Sequence, residues 1–119
     1  HLLSRRQRQM CIRDRMKIEY RDKETQRICE DESYARRKFT PNVVARLGML
    51  MYQLSAYDKF EMLRKNPACA RYRIHQLKGQ EANLTSFSLD YSARVTMVVS
   101  VNIEQDSVLI WEVSNHYGD

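Results

Sequence analysis

Three glycines, two prolines and three cysteines are all that 119 residues contain of the types that break or staple a chain. So few breakers exclude a Gly/Pro-rich disordered or collagen-like polymer, and 43% hydrophobic content suits a compact core. The length leaves room for one modest domain and no second one. So few cysteines exclude a disulfide-stapled scaffold. No apolar run approaches the roughly 20 residues that a spanning helix needs. A secretory signal would need an apolar stretch and a small-residue cleavage site, and neither is present. The expectation is a soluble, cytoplasmic protein that makes no use of a membrane.

What is present begins awkwardly. Residues 1–15, HLLSRRQRQMCIRDR, have neither helical nor strand period and crowd five arginines between Arg5 and Arg15. Met16 then opens a regular pattern. The stretch resembles translated adapter read-through at the ends of metagenomic reading frames. Residues 1–15 are therefore expected to be a non-native leader, and 16–119 a single domain. The alternative is a basic arm that grips nucleic acid.

The leader changes the meaning of the charge. The formal net charge is +5, from 20 basic and 15 acidic residues. The leader holds five arginines and one aspartate, so residues 16–119 carry 15 against 14, a net of +1. Bulk charge is no evidence for a nucleic-acid partner, and any basic footprint must come from local placement. Cys11 belongs to the leader. Cys29 and Cys69, forty residues apart, read as reduced core thiols rather than as a disulfide or metal site.

Lys17-Ile18-Glu19-Tyr20 alternates as a short strand does. Residues 25–38 are highly charged, with Ile28, Cys29, Tyr34 and Ala35 available for one buried stripe, and are expected to form a first helix. Thr40 is a good N-cap and Pro41 suits the first helical position. Val43, Val44, Leu47, Leu50, Met51 and Leu54 then recur at helical spacing. Their burial is worth about 10 kcal/mol before entropy is set against it. A short helical turn over 57–63 ends near Asn66-Pro67. Beyond it the period becomes alternating: 71–77, 86–91, 94–101 and 108–113 read as strands, with residues 102–107 a hairpin connection. Strand, two helices and then about four strands predict an α+β domain with helices on one face of an antiparallel sheet.

Alternation also assigns faces. Phe87, Leu89 and Tyr91 are expected on one side of their strand, and Val95, Met97 and Val99 on one side of the next, so Arg94 and Thr96 point the other way. Tyr72 and Ile74 look like core, which turns Arg71, Arg73 and His75 outward. Glu112, Ser114 and His116 share a parity if the last strand stays regular. The sheet is thus expected to have an apolar face under the helices and an open face bearing arginines and histidines.

Those residue types suit phosphoryl chemistry on RNA. The 2′-hydroxyl is an internal nucleophile, so a protein need only move two protons and stabilise the charge that builds on the phosphorane. Histidine titrates near neutral pH and can serve as acid or base. Lysine and arginine can hold the phosphate. Each residue also has a plainer reading. A strand histidine is often only a surface group, Lys78 in a turn only solvated, Arg94 an edge charge that discourages aggregation, and a terminal His-Tyr pair frayed.

The run HQLKG at 75–79, Ser86 within SFSLD, ARVTMVV at 93–99 and IWEVSNHY at 110–117 together resemble HigB-type toxins of the RelE/ParE superfamily. That pattern is H-x-L-K-G, a serine strand, a strand opening Arg-apolar-Thr, and a closing strand with adjacent Tyr and His. MKIEYRDKETQRIC followed by ARRKF resembles the amino terminus of the same killer proteins, and the likeness covers essentially all of 16–119. It implies a RelE/ParE-like toxin domain that cuts mRNA in the ribosomal A site with no metal or cofactor. It implies His75, Lys78 and Arg94 as catalytic residues, joined by His116 or Tyr117. Arg71, Arg73, Arg36, Arg37 and Lys38 would contact the RNA backbone. The implied partner is a HigA-like helix-turn-helix antitoxin. Two departures stand out: the terminal pair runs His then Tyr, and Gln80-Glu81-Ala82-Asn83 replaces the usual Asp-Arg-x-Gly after the turn. Because a fold does not dictate activity, a ParE-like gyrase inhibitor and a decayed toxin that only binds its antitoxin stay open.

Overall fold

The computed structural model describes residues 16–77, 84–92 and 94–115. In chain order, β1 (Lys17–Tyr20) leads into four helices: α1 (Lys23–Glu30), α2 (Glu32–Lys38), α3 (Pro41–Ala56) and α4 (Phe60–Lys65). A 3₁₀ helix (Pro67–Tyr72) follows, then β2 (His75–Gln76), β3 (Leu84–Ser88), β4 (Val95–Asn102) and β5 (Ser107–Asn115). The architecture is the expected α+β one. The expected leader lies outside the described residues.

Short polar side chains set where the helices start. Asp22, Asp31 and Thr40 each accept a backbone N–H three residues on, from Thr25 at 2.8 Å, Tyr34 at 3.2 Å and Val43 at 3.4 Å. Such caps satisfy donors that have no partner within the helix. Asp31 is the reason that the single helix expected over 25–38 is two. It closes α1 by donating its N–H to the Arg27 carbonyl at 2.9 Å and opens α2 with its carboxylate. The helix expected from Thr40 onward forms as α3. It buries Val43, Val44, Leu47, Leu50 and Leu54, with Met51 half-buried.

The strand expected over 71–77 is largely absent. Asn66 caps the Ala68 N–H at 3.0 Å, Pro67 fits a first helical turn, and the chain runs as a 3₁₀ helix through Tyr72. Tyr72 is buried as expected, but from a helix, and only His75 and Gln76 join the sheet.

The sheet has five strands in the order β1-β5-β4-β3-β2. Strands β2 to β5 form the expected antiparallel set, whereas β1 lies parallel to β5, from Lys17 opposite Ser107 to Tyr20 opposite Ile110. The turn between β4 and β5 falls at the expected place, residues 103–106. Strand β5 is not regular. Ile110 faces Val99 and Glu112 faces Val98, so Trp111 is an extra residue. This bulge swaps the parity of the strand. Val108, Ile110 and Val113 all enter the core, and Glu112 and Ser114 are turned away from it.

One core joins the layers. Ile28, Ala35, Leu47, Leu50, Leu54 and Leu63 from the helices meet Phe87, Leu89, Met97, Val99, Val108 and Ile110 from the sheet. Phe60 and Phe87 pack edge to face with ring centroids 6.1 Å apart. The opposite face is less open than expected: Ser86, Ser88, Thr96 and Val98 there are each less than a tenth exposed. No helix among the described residues is long and apolar enough to cross a membrane.

Candidate functional site

Where the corner between α2 and α3 meets the turn between β3 and β4, a cleft of about 1110 Å³ opens. Six of its described lining residues are cationic, namely Arg37, Lys38, Arg46, Arg71, Arg73 and Arg94, and among the described residues Asp90 is the one carboxylate in the lining. Phe39 and Tyr91 also line it. Residues 16–119, which carry a net charge of only +1, have therefore concentrated positive charge in one concavity. Low-dielectric walls focus such a field onto an anionic ligand.

Each cation is placed by a local feature. Arg36, Arg37 and Lys38 form the last turn of α2, where positive charge complements the helix dipole. Successive residues point in different directions, and only Arg37 and Lys38 reach the cleft. Arg36 instead pairs with Glu32 at 3.0 Å. Lys38 is tied to Glu24 at 3.2 Å, and the same carboxylate accepts the Tyr34 hydroxyl at 2.6 Å. The Tyr34 and Lys38 hydrogen bonds hold the Glu24 carboxyl below its usual range, and Glu24 in turn raises the Lys38 ammonium. Arg71 sits on the 3₁₀ helix. Arg73 ends it with φ 47°, a left-handed conformation that redirects the chain into β2. Among the described residues, Arg37, Arg71, Arg73 and Arg94 form no ion pair and all four are exposed.

Asp90 organises the turn that carries Arg94. Its carboxylate accepts the Arg94 N–H at 2.9 Å, the Val95 N–H at 3.3 Å and the Ser92 hydroxyl at 2.8 Å. The strand expected to run to residue 91 consequently stops at Ser88. Leu89 still donates its N–H to the Val95 carbonyl at 2.8 Å and remains in the core. Tyr91, expected beside Phe87 and Leu89 on the apolar face, is 87% exposed at the cleft rim. Arg46 reaches across from α3 to place its guanidinium 5.0 Å from the Tyr91 ring centroid.

His75 does not line this cleft. It pairs with Ser86, which pairs with Val98, which pairs with Glu112, so these four form one row across the sheet. Arg94 lies four residues before Val98, on the same parity. Two interstrand steps and four residues of rise put the His75 and Arg94 backbones about 16 Å apart. The His75 Nδ1 is 2.9 Å from the Arg73 carbonyl oxygen, which can only accept, so Nδ1 carries the proton and Nε2 is the basic nitrogen of the neutral ring. Between the rows of His75 and Arg94, Thr96 stands opposite Ser88 and Ser114. Its hydroxyl is buried and has no hydrogen-bond partner among the described residues. Glu112 accepts the Ser114 hydroxyl at 2.8 Å. Lys78, the Gln80–Asn83 departure, His116 and Tyr117 lie outside the described residues.

Three cleft residues escaped the sequence reading. Arg46 is the only charged residue in α3, a polar interruption within an apolar stripe and the one available signal. Asp90 and Tyr91 were masked by an alternation that continued through the turn; the run Asp90-Tyr91-Ser92 carries turn formers at both ends. Cys29 and Cys69 are free thiols, as expected, and burial pushes Cys29 up to about 12. Among the described residues, no cluster of three or more His, Cys, Asp or Glu side chains could hold a metal ion.

Solved structures share this architecture. A YoeB/ParE toxin from Agrobacterium tumefaciens superposes with a TM-score of 0.55 at 16% identity, over 86% of this chain and 100% of that one. YafQ from E. coli gives 0.55 at 13% identity, over 85% and 93% of the two chains. A copper-bound mutant toxin from Helicobacter pylori gives 0.51 at 17% identity, over 85% and 94%. No protein-family model and no curated protein sequence matches the chain. The fold is that of RelE/ParE-like toxins. At these identities the likeness is one of fold.

Proposed function

We propose that this chain is a toxin of the RelE/ParE superfamily, of the HigB type, that cuts mRNA in the ribosomal A site without a metal ion. One observation carries the reading: the cleft at the end of the sheet gathers four exposed arginines, Arg37, Arg71, Arg73 and Arg94, that form no ion pair among the described residues, around a concavity whose described lining holds a single carboxylate. A polyanionic strand is the ligand that such a surface favours, and phosphate contacts would set its register. The toxin folds that superpose on this chain agree with that role.

In the proposed reaction the 2′-hydroxyl attacks its own 3′-phosphate. A base removes the hydroxyl proton, cations neutralise the phosphorane, and an acid protonates the departing 5′-oxygen. His75 is suited to one proton transfer, because the Arg73 carbonyl leaves Nε2 as the accepting nitrogen. His116 or Tyr117 supplies the other. Arg94 and Lys78 stabilise the phosphorane. Arg94 lines the cleft and His75 lies outside it, both exposed and with backbones about 16 Å apart, so a scissile phosphate would have to lie between their extended side chains. Arg37, Arg71 and Arg73 hold neighbouring phosphates, and Arg36, committed to Glu32, contributes less. A HigA-like helix-turn-helix antitoxin in the same cytoplasm would restrain the toxin.

The test is growth arrest in expressing cells combined with primer extension on their mRNA. Ribosome-dependent cuts should appear with the wild type and disappear with His75→Ala, Lys78→Ala and Arg94→Ala. DNA breaks without RNA cuts would favour a gyrase inhibitor on the same scaffold. Full toxicity of all three folded variants would sink the assignment of the site.

A further inference from the structure

Tyr91 is out of place for a large aromatic. Sequence alternation assigns it to the core, yet it is 87% exposed, and the Asp90 hydrogen bonds to Ser92, Arg94 and Val95 pin the turn that presents it. Its exposure is therefore built rather than a product of a loose loop. Arg46, half-buried on α3, lays its guanidinium 5.0 Å from the ring centroid, and both residues line the cleft that holds Arg37, Arg71, Arg73 and Arg94. With most of the residue open to solvent, the ring has a face to offer beyond the one that Arg46 covers.

We infer that Tyr91, braced by Arg46, is a stacking platform for one unpaired nucleobase at the mouth of the cleft. An aromatic face beside phosphate-binding cations is the combination that single-stranded nucleic acid uses, because every base has a π-face and every linkage a charge. A base stacked on Tyr91 brings its flanking phosphates within reach of Arg73 and Arg94. Bases inside a duplex have both faces occupied and cannot use the platform. The cleft thereby selects single strands with little regard to sequence. This inference rests on the nuclease reading above and adds to it a positioning residue outside the proposed proton-transfer set.

The experiment uses the full chain and a short RNA bearing 2′-O-methyl groups, which block the attacking hydroxyl, with one 2-aminopurine as the fluorescent base. Wild type should bind the strand and quench 2-aminopurine, the signature of stacking. Tyr91→Ala should weaken binding about tenfold and remove the quench. Tyr91→Phe and Tyr91→Trp should retain both. An abasic strand of equal charge should bind wild type and Tyr91→Ala equally. If wild type gives no quench, or if Tyr91→Ala binds and quenches like wild type, the platform does not exist. Loss of binding in Arg73→Ala and Arg94→Ala alongside an unaffected Tyr91→Ala would overturn the platform alone. Unchanged binding in all three would overturn the cleft as an RNA site as well.

Discussion

Asp90 and Arg94 share a basic cleft, yet the carboxylate accepts the backbone N–H of Arg94 at 2.9 Å and forms no ion pair with its guanidinium. The one acid in the described lining is spent on holding a turn, which leaves the arginine side chain available. Asp90→Ala should cost about 1–2 kcal/mol in urea unfolding, the usual effect of losing a side-chain cap on backbone donors. Asp90→Asn keeps an acceptor and should cost less than half as much. Equal losses in both variants would show that charge, and not the turn, is what Asp90 provides.

The salt dependence of RNA binding should count the cleft contacts. Each of Arg37→Ala, Arg71→Ala, Arg73→Ala and Arg94→Ala should lower the slope of log affinity against log salt by about 0.7 for a single-stranded ligand. Arg36→Ala should leave the slope unchanged, because that guanidinium is bound to Glu32 at 3.0 Å outside the cleft. A slope change in Arg36→Ala equal to the others would contradict this map.

Glu24 restrains a cation that the cleft would otherwise use. It holds Lys38 at 3.2 Å, and its carboxyl is depressed by the Tyr34 and Lys38 hydrogen bonds. A depressed acid stabilises the fold above its unfolded value, and that contribution is lost as pH falls through the lower folded value. Glu24→Gln should therefore be slightly less stable than wild type at neutral pH and match it in strong acid. Freed Lys38 should strengthen RNA binding about two- to fivefold at neutral pH. Anisotropy titrations paired with urea midpoints at pH 7 and pH 3 would reveal either failure.

Among the described residues the buried Thr96 hydroxyl has no hydrogen-bond partner, although the residue is only 8% exposed. A buried polar group without a partner costs free energy, so an isosteric methyl should be tolerated. Thr96→Val should be neutral or stabilise by up to about 1 kcal/mol in thermal or urea unfolding. A loss above that size would reveal a partner for the hydroxyl.

Both described cysteines should resist alkylation. Burial pushes the Cys29 thiol up to about 12 and also raises Cys69, so little thiolate exists at pH 8. In a Cys11→Ser background, mass spectrometry after brief maleimide treatment should find the folded protein unlabelled and the urea-unfolded protein labelled twice.

Local chemistry settled much of this protein in advance. The Thr40 cap, Pro41 and the three- and four-residue spacing from Val43 to Leu54 specify α3 within one stretch of chain, and the turn at 103–106 is equally local. The alternation of Val95, Met97 and Val99 placed β4 correctly over the core. These features survive because cap, period and turn each act over a few neighbouring residues. Asp31, the 3₁₀ helix after Asn66 and the end of β3 at Ser88 were harder, since side-chain hydrogen bonds there overrule a continuing pattern of apolar residues.

Only the tertiary structure decided the rest. The parallel pairing of β1 with β5 joins segments that lie at opposite ends of the domain, and the extra residue Trp111 changes parity only because Val98 and Val99 fix the register opposite it. The cleft has the same origin. Arg37, Arg46, Arg73 and Arg94 come from four separate segments, and no spacing in sequence encodes their meeting. The sequence carried the residues that can bind a phosphate chain; the packing of α2 and α3 against one end of the sheet chose which of them face it together.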